Sequence, residues 1–345
     1  MHRRLYFSIV GLILLTNLSA QIGGTSVYTF LGVPIAPRVA GAAGNVFANT
    51  EDDVTFGLWN PALINPEMHG NMSLNVAPLK GGILFGEAAY SHTFRRVGSF
   101  TVGVKYVDYG SFQRTNTQAQ VIGGFTAADY AFQLGYGYQL DSSWQFGASL
   151  KLINGTYATY TSWAWATDVA AVYQIPKSRI AMSLILANIG TQISTFSGNF
   201  ESLPINVKFA ISSRFKYVPL RLNLLLDNLQ QFDLRYNDPN NVTRDPITGE
   251  EVVTEETTLN NIMRHVVLAA EIAPSKNFNI QLGYSFRRGY EMQIPTRRSF
   301  AGFTFGIGFR ISKFRINYAN TNMNVAGRMH HFGITTSLGD FKSKK

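Results

Sequence analysis

Hydrophobic residues occupy every second position over much of the chain. Residues 303–311 place Phe303, Phe305, Ile307, Phe309 and Ile311 on one side, with Thr304, Gly306, Gly308 and Arg310 between them. Successive side chains of a β-strand point to opposite faces, so this period of two predicts strands with one apolar face and one polar or small face. The same alternation recurs in residues 130–139, 144–152 and 278–287.

The alternation predicts fourteen strands. They begin near residues 71, 83, 98, 126, 143, 163, 178, 203, 219, 263, 277, 299, 313 and 329. An even number of antiparallel strands is typical of bacterial outer-membrane barrels.

Short and long connections alternate between these strands. The short ones centre on RRVGS, LDSS, IPKS, KYVP, APSKN and SK, and the long ones span residues 110–125, 156–162, 190–202, 230–262, 288–298 and 320–328. A transmembrane barrel has short periplasmic turns and longer extracellular loops, whereas a soluble sandwich does not require this alternation. Only PLKGG, at residues 78–82, is short where a long loop is expected. We therefore predict an all-β, transmembrane outer-membrane antiparallel β-barrel of about 14 strands over residues 71–341, followed by a basic tail at residues 342–345.

Composition agrees with a membrane location. Charged residues make up only 15% of the chain, against roughly a quarter in soluble domains, while aromatic residues reach 13%. The absence of cysteine excludes disulfides and thiol chemistry. No segment after residue 20 approaches the 18 or so consecutive apolar residues of a transmembrane helix.

The first 20 residues read as a secretory signal peptide. Arg3 and Arg4 precede an apolar run from Leu5 to Leu15, and a cleavage site is predicted after Ala20.

Residues 21–70 do not alternate and are rich in Gly and Ala. A barrel of fourteen strands is too wide for its own side chains to fill, so it either conducts water or holds a plug. We predict that residues 21–70 form an N-terminal plug, or hatch, in the lumen.

The plug segment carries the motifs of a known family. Its elements are Arg38 in the run RVAGAAG, the acidic trio Glu51, Asp52 and Asp53, and the tripeptide Asn60, Pro61 and Ala62. In this order they resemble the hatch of the FadL-like superfamily of outer-membrane barrels. The opening GGTSVYTFLGVP and residues 263–292 further resemble the PorQ family of type IX secretion outer-membrane proteins, which belongs with the PorV-like barrels. The acidic insert at residues 238–256 departs from the family pattern.

This resemblance implies a non-enzymatic role at the cell surface. It implies that the barrel docks partner proteins of the attachment complex that links secreted cargo to anionic lipopolysaccharide. PorZ is the expected direct partner, and PorU and PorV are further expected partners. No nucleic-acid partner is expected.

The sequence carries none of the common motifs of catalysis or cofactor binding. The chain lacks a phosphate-binding loop, a Gly-x-Ser-x-Gly elbow and a His-Glu-x-x-His motif, so we expect no catalytic residue, no cofactor and no metal site. His330 and His331 are adjacent on a predicted strand, point to opposite faces and so cannot chelate together. The acidic residues of 238–256 are interpreted as a solvated extracellular loop.

Basic residues concentrate at two places. Arg287, Arg288, Arg297 and Arg298 bracket an outer loop and form a candidate rim for lipopolysaccharide or a partner protein. The predicted lumen face carries the bases Lys105, Lys151, Lys208, Arg221, Arg287, Arg310 and Arg315, and the acids Glu87, Asp168, Asp227 and Glu271. We expect the basic lumen to pair with the acidic trio of the plug, because charges in a narrow lumen require partners or water.

Other functions stay open. A FadL-like transporter would need an apolar pocket with a lateral exit, and the polar lumen positions argue against it. A porin for polar solutes fits that lumen better but requires the plug to move. A barrel enzyme would need a nucleophile and a base side by side, and no such cluster stands out in the sequence.

Overall fold

The structure is a computed structural model, and it describes residues 26–235, 242–244, 251–253, 257–292, 300–324 and 327–341. The predicted signal peptide, the basic tail and most of the acidic insert lie outside the described residues. Arg297 and Arg298 also lie outside them.

Fourteen antiparallel strands close into a barrel. They are β1 (Asn71–Leu79), β2 (Ile83–Phe94), β3 (Gly98–Thr115), β4 (Val121–Gln139), β5 (Trp144–Tyr157), β6 (Tyr160–Ile175), β7 (Ile180–Ser194), β8 (Asn206–Arg214), β9 (Leu220–Leu226), β12 (Val266–Ser275), β13 (Phe278–Ser285), β14 (Phe303–Ile311), β15 (Phe314–Asn324) and β16 (Gly327–Ser337). Two short strands, β10 (Val242–Arg244) and β11 (Glu251–Val253), form a separate sheet. Each barrel strand pairs with its neighbour along the chain, and β1 closes the cylinder by pairing with β16. The predicted fold class is confirmed.

Within the described residues, four short α-helices accompany the strands: α1 (Pro37–Gly41), α2 (Val54–Trp59), α3 (Thr258–Arg264) and α4 (Phe286–Glu291). Single 3-10 turns add Thr29–Gly32, Pro61–Leu63, Pro66–Met68 and Leu338–Phe341. None of the helices in the described part of the chain is long and apolar enough to cross a membrane.

The alternating pattern separates the two faces of the wall. In β14, Phe305 is 40% exposed, whereas its neighbours Thr304 and Gly306 are buried against the interior. The cross-strand pair Leu282 and Phe305 places apolar side chains side by side on the outside. Because such a band would be costly in water, the apolar exterior belongs in the hydrocarbon core of the membrane.

The outer rim of the barrel is uneven. β3 and β4 have 18 and 19 residues, whereas β8 and β9 have only 9 and 7. The short turns mark the periplasmic end, so the long strands extend on the extracellular side. β4 begins at Val121, before the predicted 126. Its first residues pair only with β3, and pairing with β5 begins at Ala127.

The expected strand position of Arg287 was wrong. β13 ends at Ser285, whose side chain accepts a hydrogen bond from the Arg288 amide (3.4 Å) and caps α4. Arg287 therefore lies on a helix, where its Nε is 2.8 Å from Glu291 Oε1. The Ser285 cap begins a helix at this point, so the chain leaves the strand although the alternation of side chains continues in the sequence.

Residues 26–70 lie inside the barrel and cross it from end to end. The Val27 amide donates to the carbonyl of Ser202 in an outer loop, and residue 70 leads into β1 at the periplasmic end. The side chains of Val39, Phe56 and Leu63 are fully buried against the inner wall. We call residues 26–70 the plug.

Candidate functional site at the plug and barrel wall

Side-chain caps shape the plug locally. Asp53 accepts hydrogen bonds from the amide (3.0 Å) and the hydroxyl (2.7 Å) of Thr55 and so begins α2. Asn60 accepts from the Ala62 amide (2.9 Å), and Pro61 occupies the first position of the following turn. The Asn60 amide also donates to Ser183 Oγ of the wall at 2.9 Å. The motif Asn60-Pro61-Ala62 is thus a capped turn that is attached to β7.

A buried ionic cluster joins the plug to the wall. Arg38 contacts Glu51 (2.6 Å), Asp53 (3.0 Å) and Glu271 of β12 (2.8 Å). Arg221 of β9 contacts Glu51 (2.7 Å) and Glu271 (3.1 Å). We call these five residues the plug lock. The plug supplies Arg38, Glu51 and Asp53, and the barrel supplies Arg221 and Glu271, so that each arginine has carboxylate partners on both the plug and the wall.

The pKa values of the plug members follow from this geometry. Burial alone would raise the pKa of Glu51, but the charges of Arg38 and Arg221 outweigh it and lower the pKa to about 2. Burial likewise disfavours the charged form of Arg38, but its carboxylate neighbours raise the pKa of the guanidinium well above its ordinary value. Both groups therefore stay ionised at neutral pH, and the plug lock is held by interactions between charged groups.

The remaining lumen charges pair mostly within the wall. Lys151 Nζ lies 2.7 Å from Asp168, and Lys208 Nζ lies 2.6 Å from Asp227. Lys105 lies 3.9 Å from Glu87, and its ammonium stands 3.7 Å from the ring centre of Trp59 in the plug. The third acidic residue, Asp52, is more exposed and lies 3.8 Å from Arg315.

The glycines of the inner face allow the plug backbone to approach the wall. A Cβ on Gly41 of α1 would stand 2.8 Å from the Cα of Gly306 in β14. A Cβ on Gly147 of β5 would overlap the backbone of Pro61 and Ala62. At these places the small residues that alternate with lipid-facing residues serve plug packing and do not line a water-filled channel.

Of the candidate rim arginines, the described residues include only Arg287 and Arg288, and these two have different partners. Arg288 donates to the carbonyl of Ala43 in the plug (3.1 Å), while Arg287 pairs with Glu291. Arg264 of α3, which the sequence did not single out, lies 3.7 Å from Glu291 and 5.2 Å from the ring centre of Tyr290. The described part of the proposed rim is therefore tied to the plug and to α3 and α4.

Among the cavities that the described residues form at the periplasmic end, the two largest lie beneath the plug. The larger has a volume of about 670 Å³ and the smaller about 470 Å³, and both are lined by Thr50, Glu51 and Arg214. We call the two together the vestibule. Arg38, Glu271 and Arg315 line the larger cavity, and Arg221 lines the smaller, so the plug lock forms part of the vestibule ceiling.

A second polar cluster lies near the outer end. Asp129 Oδ2 accepts hydrogen bonds from the hydroxyls of Tyr109 and Tyr157, both at 2.7 Å. Within the described residues, no group of three or more His, Asp or Glu side chains is arranged to hold a metal ion.

Comparisons with known proteins return structures and no sequence relatives. No family model matches the chain, and no curated protein is similar to it. The TodX monoaromatic hydrocarbon channel (deltaS2 mutant) is 13% identical, with a TM-score of 0.48, over 89% of this chain and 98% of that one. A Pseudomonas aeruginosa FadL homologue is 10% identical, with a TM-score of 0.47, over 88% and 99%. The KdgM porin is 8% identical, with a TM-score of 0.35, over 78% and 99%. At these scores the similarities carry no functional assignment.

Proposed function

We propose that this protein is a non-enzymatic barrel of the outer membrane that anchors surface proteins of the type IX secretion attachment complex. The sequence resemblance of the opening GGTSVYTFLGVP and of residues 263–292 points to this system. On this proposal PorZ is the direct partner, with PorU and PorV in the same assembly, and the barrel provides a membrane anchor close to lipopolysaccharide.

One observation carries this proposal: the plug is fixed to the wall by buried charges. Arg38 and Glu271 are both nearly inaccessible to solvent, and each has more than one ionic partner. Taking either charge away from its partners is strongly unfavourable in such a site. A lumen that is filled and ionically held suits an anchor, which does not need to open.

Extraction from the host membrane tests this proposal. A tagged full-length chain is extracted in several mild detergents, and the co-purifying proteins are identified by mass spectrometry, with a tagged unrelated barrel of the same membrane as the control. We expect PorZ, PorU and PorV to co-purify with this chain and not with the control. A clean monomer in every detergent contradicts the anchoring role.

A second candidate function is favoured by the vestibule. Its two cavities of about 670 and 470 Å³ lie directly beneath the plug and have polar, charged walls. If the plug moved, they would continue into the lumen, as a porin for polar solutes requires. Planar bilayers distinguish the two functions, because a porin must conduct when solute is present and an anchor need not.

A further inference from the structure

The vestibule has cations on its walls that no carboxylate of the described chain neutralises. Arg179 and Lys276 are exposed residues of two periplasmic turns, and Arg214 is the exposed last residue of β8, next to a third turn. Among the ion pairs of residues 26–235, 257–292, 300–324 and 327–341, none includes these three side chains.

The acids of the same region are mostly engaged elsewhere. Glu51 and Glu271 each form ion pairs with both Arg38 and Arg221. Asp52 lies 3.8 Å from Arg315, and both Asp52 and Glu67 also line a neighbouring cavity that Arg310 and Lys313 share. The wall built from the turns after β6, β8 and β12 is therefore left positive.

The three cations are distributed along the vestibule. Arg179 lines the smaller cavity, Lys276 lines the larger one, and Arg214 lines both. A single small anion in one cavity cannot meet all three, whereas a chain with several carboxylates in series can. The larger cavity also offers the polar side chains of Ser275 and Asn277 to a backbone that lies across it.

From this arrangement we infer that the vestibule binds an acidic peptide segment that enters from the periplasm. Successive carboxylates of the segment contact Arg179, Arg214 and Lys276, and the plug lock above stays closed. The attraction is between partly solvated charges, so it is strong at low ionic strength and weakens as salt rises. The inference does not depend on the identity of the extracellular partners.

Fluorescence anisotropy of a labelled hexaglutamate peptide tests the inference on the full-length protein in neutral detergent. We expect saturable binding that weakens with salt, no binding of labelled hexaglutamine, and no displacement by free glutamate at matched carboxylate concentration. Displacement by free glutamate at that concentration would show a simple anion site and overturn the peptide assignment.

Charge reversals locate the binding site. Arg214→Glu and Lys276→Glu are each expected to weaken hexaglutamate binding by about tenfold or more. The matched control is Arg96→Glu, because Arg96 is an exposed base in the β2–β3 turn at the same end of the barrel and lines neither cavity. Equal weakening in all three variants, or in none, overturns the inference. Unchanged melting temperatures verify that the exposed substitutions leave the fold intact.

Discussion

Arg38 of the plug and Glu271 of β12 form an ion pair of 2.8 Å, and both side chains are only 5% exposed. The two residues are 233 positions apart in the chain, so this contact exists only once the barrel has closed around the plug. Arg221 lies 3.1 Å from the second oxygen of Glu271, so this carboxylate bridges one arginine of the plug and one of the barrel. The position of the plug is thus coupled to the integrity of the wall.

Arg38→Ala is expected to loosen the plug without opening the barrel wall. The substitution leaves Asp53 buried without its cation and removes one of the two cations on Glu271, and breaking such a buried pair costs about 3 to 5 kcal/mol. Hydrogen exchange followed by mass spectrometry should show faster exchange in residues 35–64 and unchanged exchange in the strands. Arg96→Ala, at an exposed turn, is the control. Wild-type exchange in Arg38→Ala would show that the lock does not hold the plug.

The plug is expected to lose stability in acid. The ordinary pKa of Glu51 is 4.5 and its folded pKa is lowered to about 2, so its contribution is complete above pH 4.5 and disappears as the pH falls towards 2. Exchange of the plug amides, corrected for the intrinsic pH effect, should therefore rise between pH 5 and pH 2. Glu51→Gln should show a flatter profile over the same range. Identical profiles in the two proteins would exclude Glu51 as a source of the acid sensitivity.

The sequence predicted the barrel well, because lipid on one side of a strand imposes a strict period of two. The first residues of β1, β2 and β3 agree with the predicted 71, 83 and 98, and the apolar set of β14 lies on the outside as expected. The sequence alone did not predict that Arg38 forms ion pairs with Glu51, Asp53 and Glu271. These contacts depend on the position of the plug in the lumen, which the alternation of the strands does not specify. The helix α4 was missed because Phe286 and Arg287 continue the alternation of β13.

Phe305→Arg is expected to impair folding in lipid. Phe305 is 40% exposed on the outside of β14, and an arginine facing lipid costs about 2 to 4 kcal/mol near the membrane midplane. Urea titration in lipid vesicles measures the free energy of unfolding. Val97→Arg is the matched control, since Val97 is an exposed apolar residue in a periplasmic turn, where the cost falls to about 0 to 1 kcal/mol. Equal effects of the two substitutions would contradict the lipid-facing position of Phe305.

Gly147→Ala is expected to displace the plug. The new methyl group would overlap the backbone of Pro61 and Ala62, and overpacking of this kind costs about 1 to 3 kcal/mol. The control is Gly32→Ala, because a Cβ at Gly32 would meet no atom within 4 Å. The melting temperature in detergent should be lower for Gly147→Ala than for Gly32→Ala. If Gly147→Ala has the same melting temperature as the wild type, the close contact between β5 and the plug is not present.

The inner glycines show what a period of two does not determine. The pattern placed Gly306 on the lumen side correctly, and a glycine there is compatible with either water or a close backbone. The contact with Gly41, where an added Cβ would stand 2.8 Å away, identifies the second case. A period of two reports which face a residue occupies, and it does not report what lies across that face.

Single-channel recording in planar bilayers tests most directly whether the plug seals the barrel. Insertion of the full-length protein is first verified by protection of the strands from added protease. We predict that the wild type shows no steady conductance, and that the double variant Arg38→Ala/Arg221→Ala, which lacks both cations of the plug lock, shows repeated openings. A wild type that conducts steadily, at the level of the double variant, would contradict a lumen closed by the plug lock.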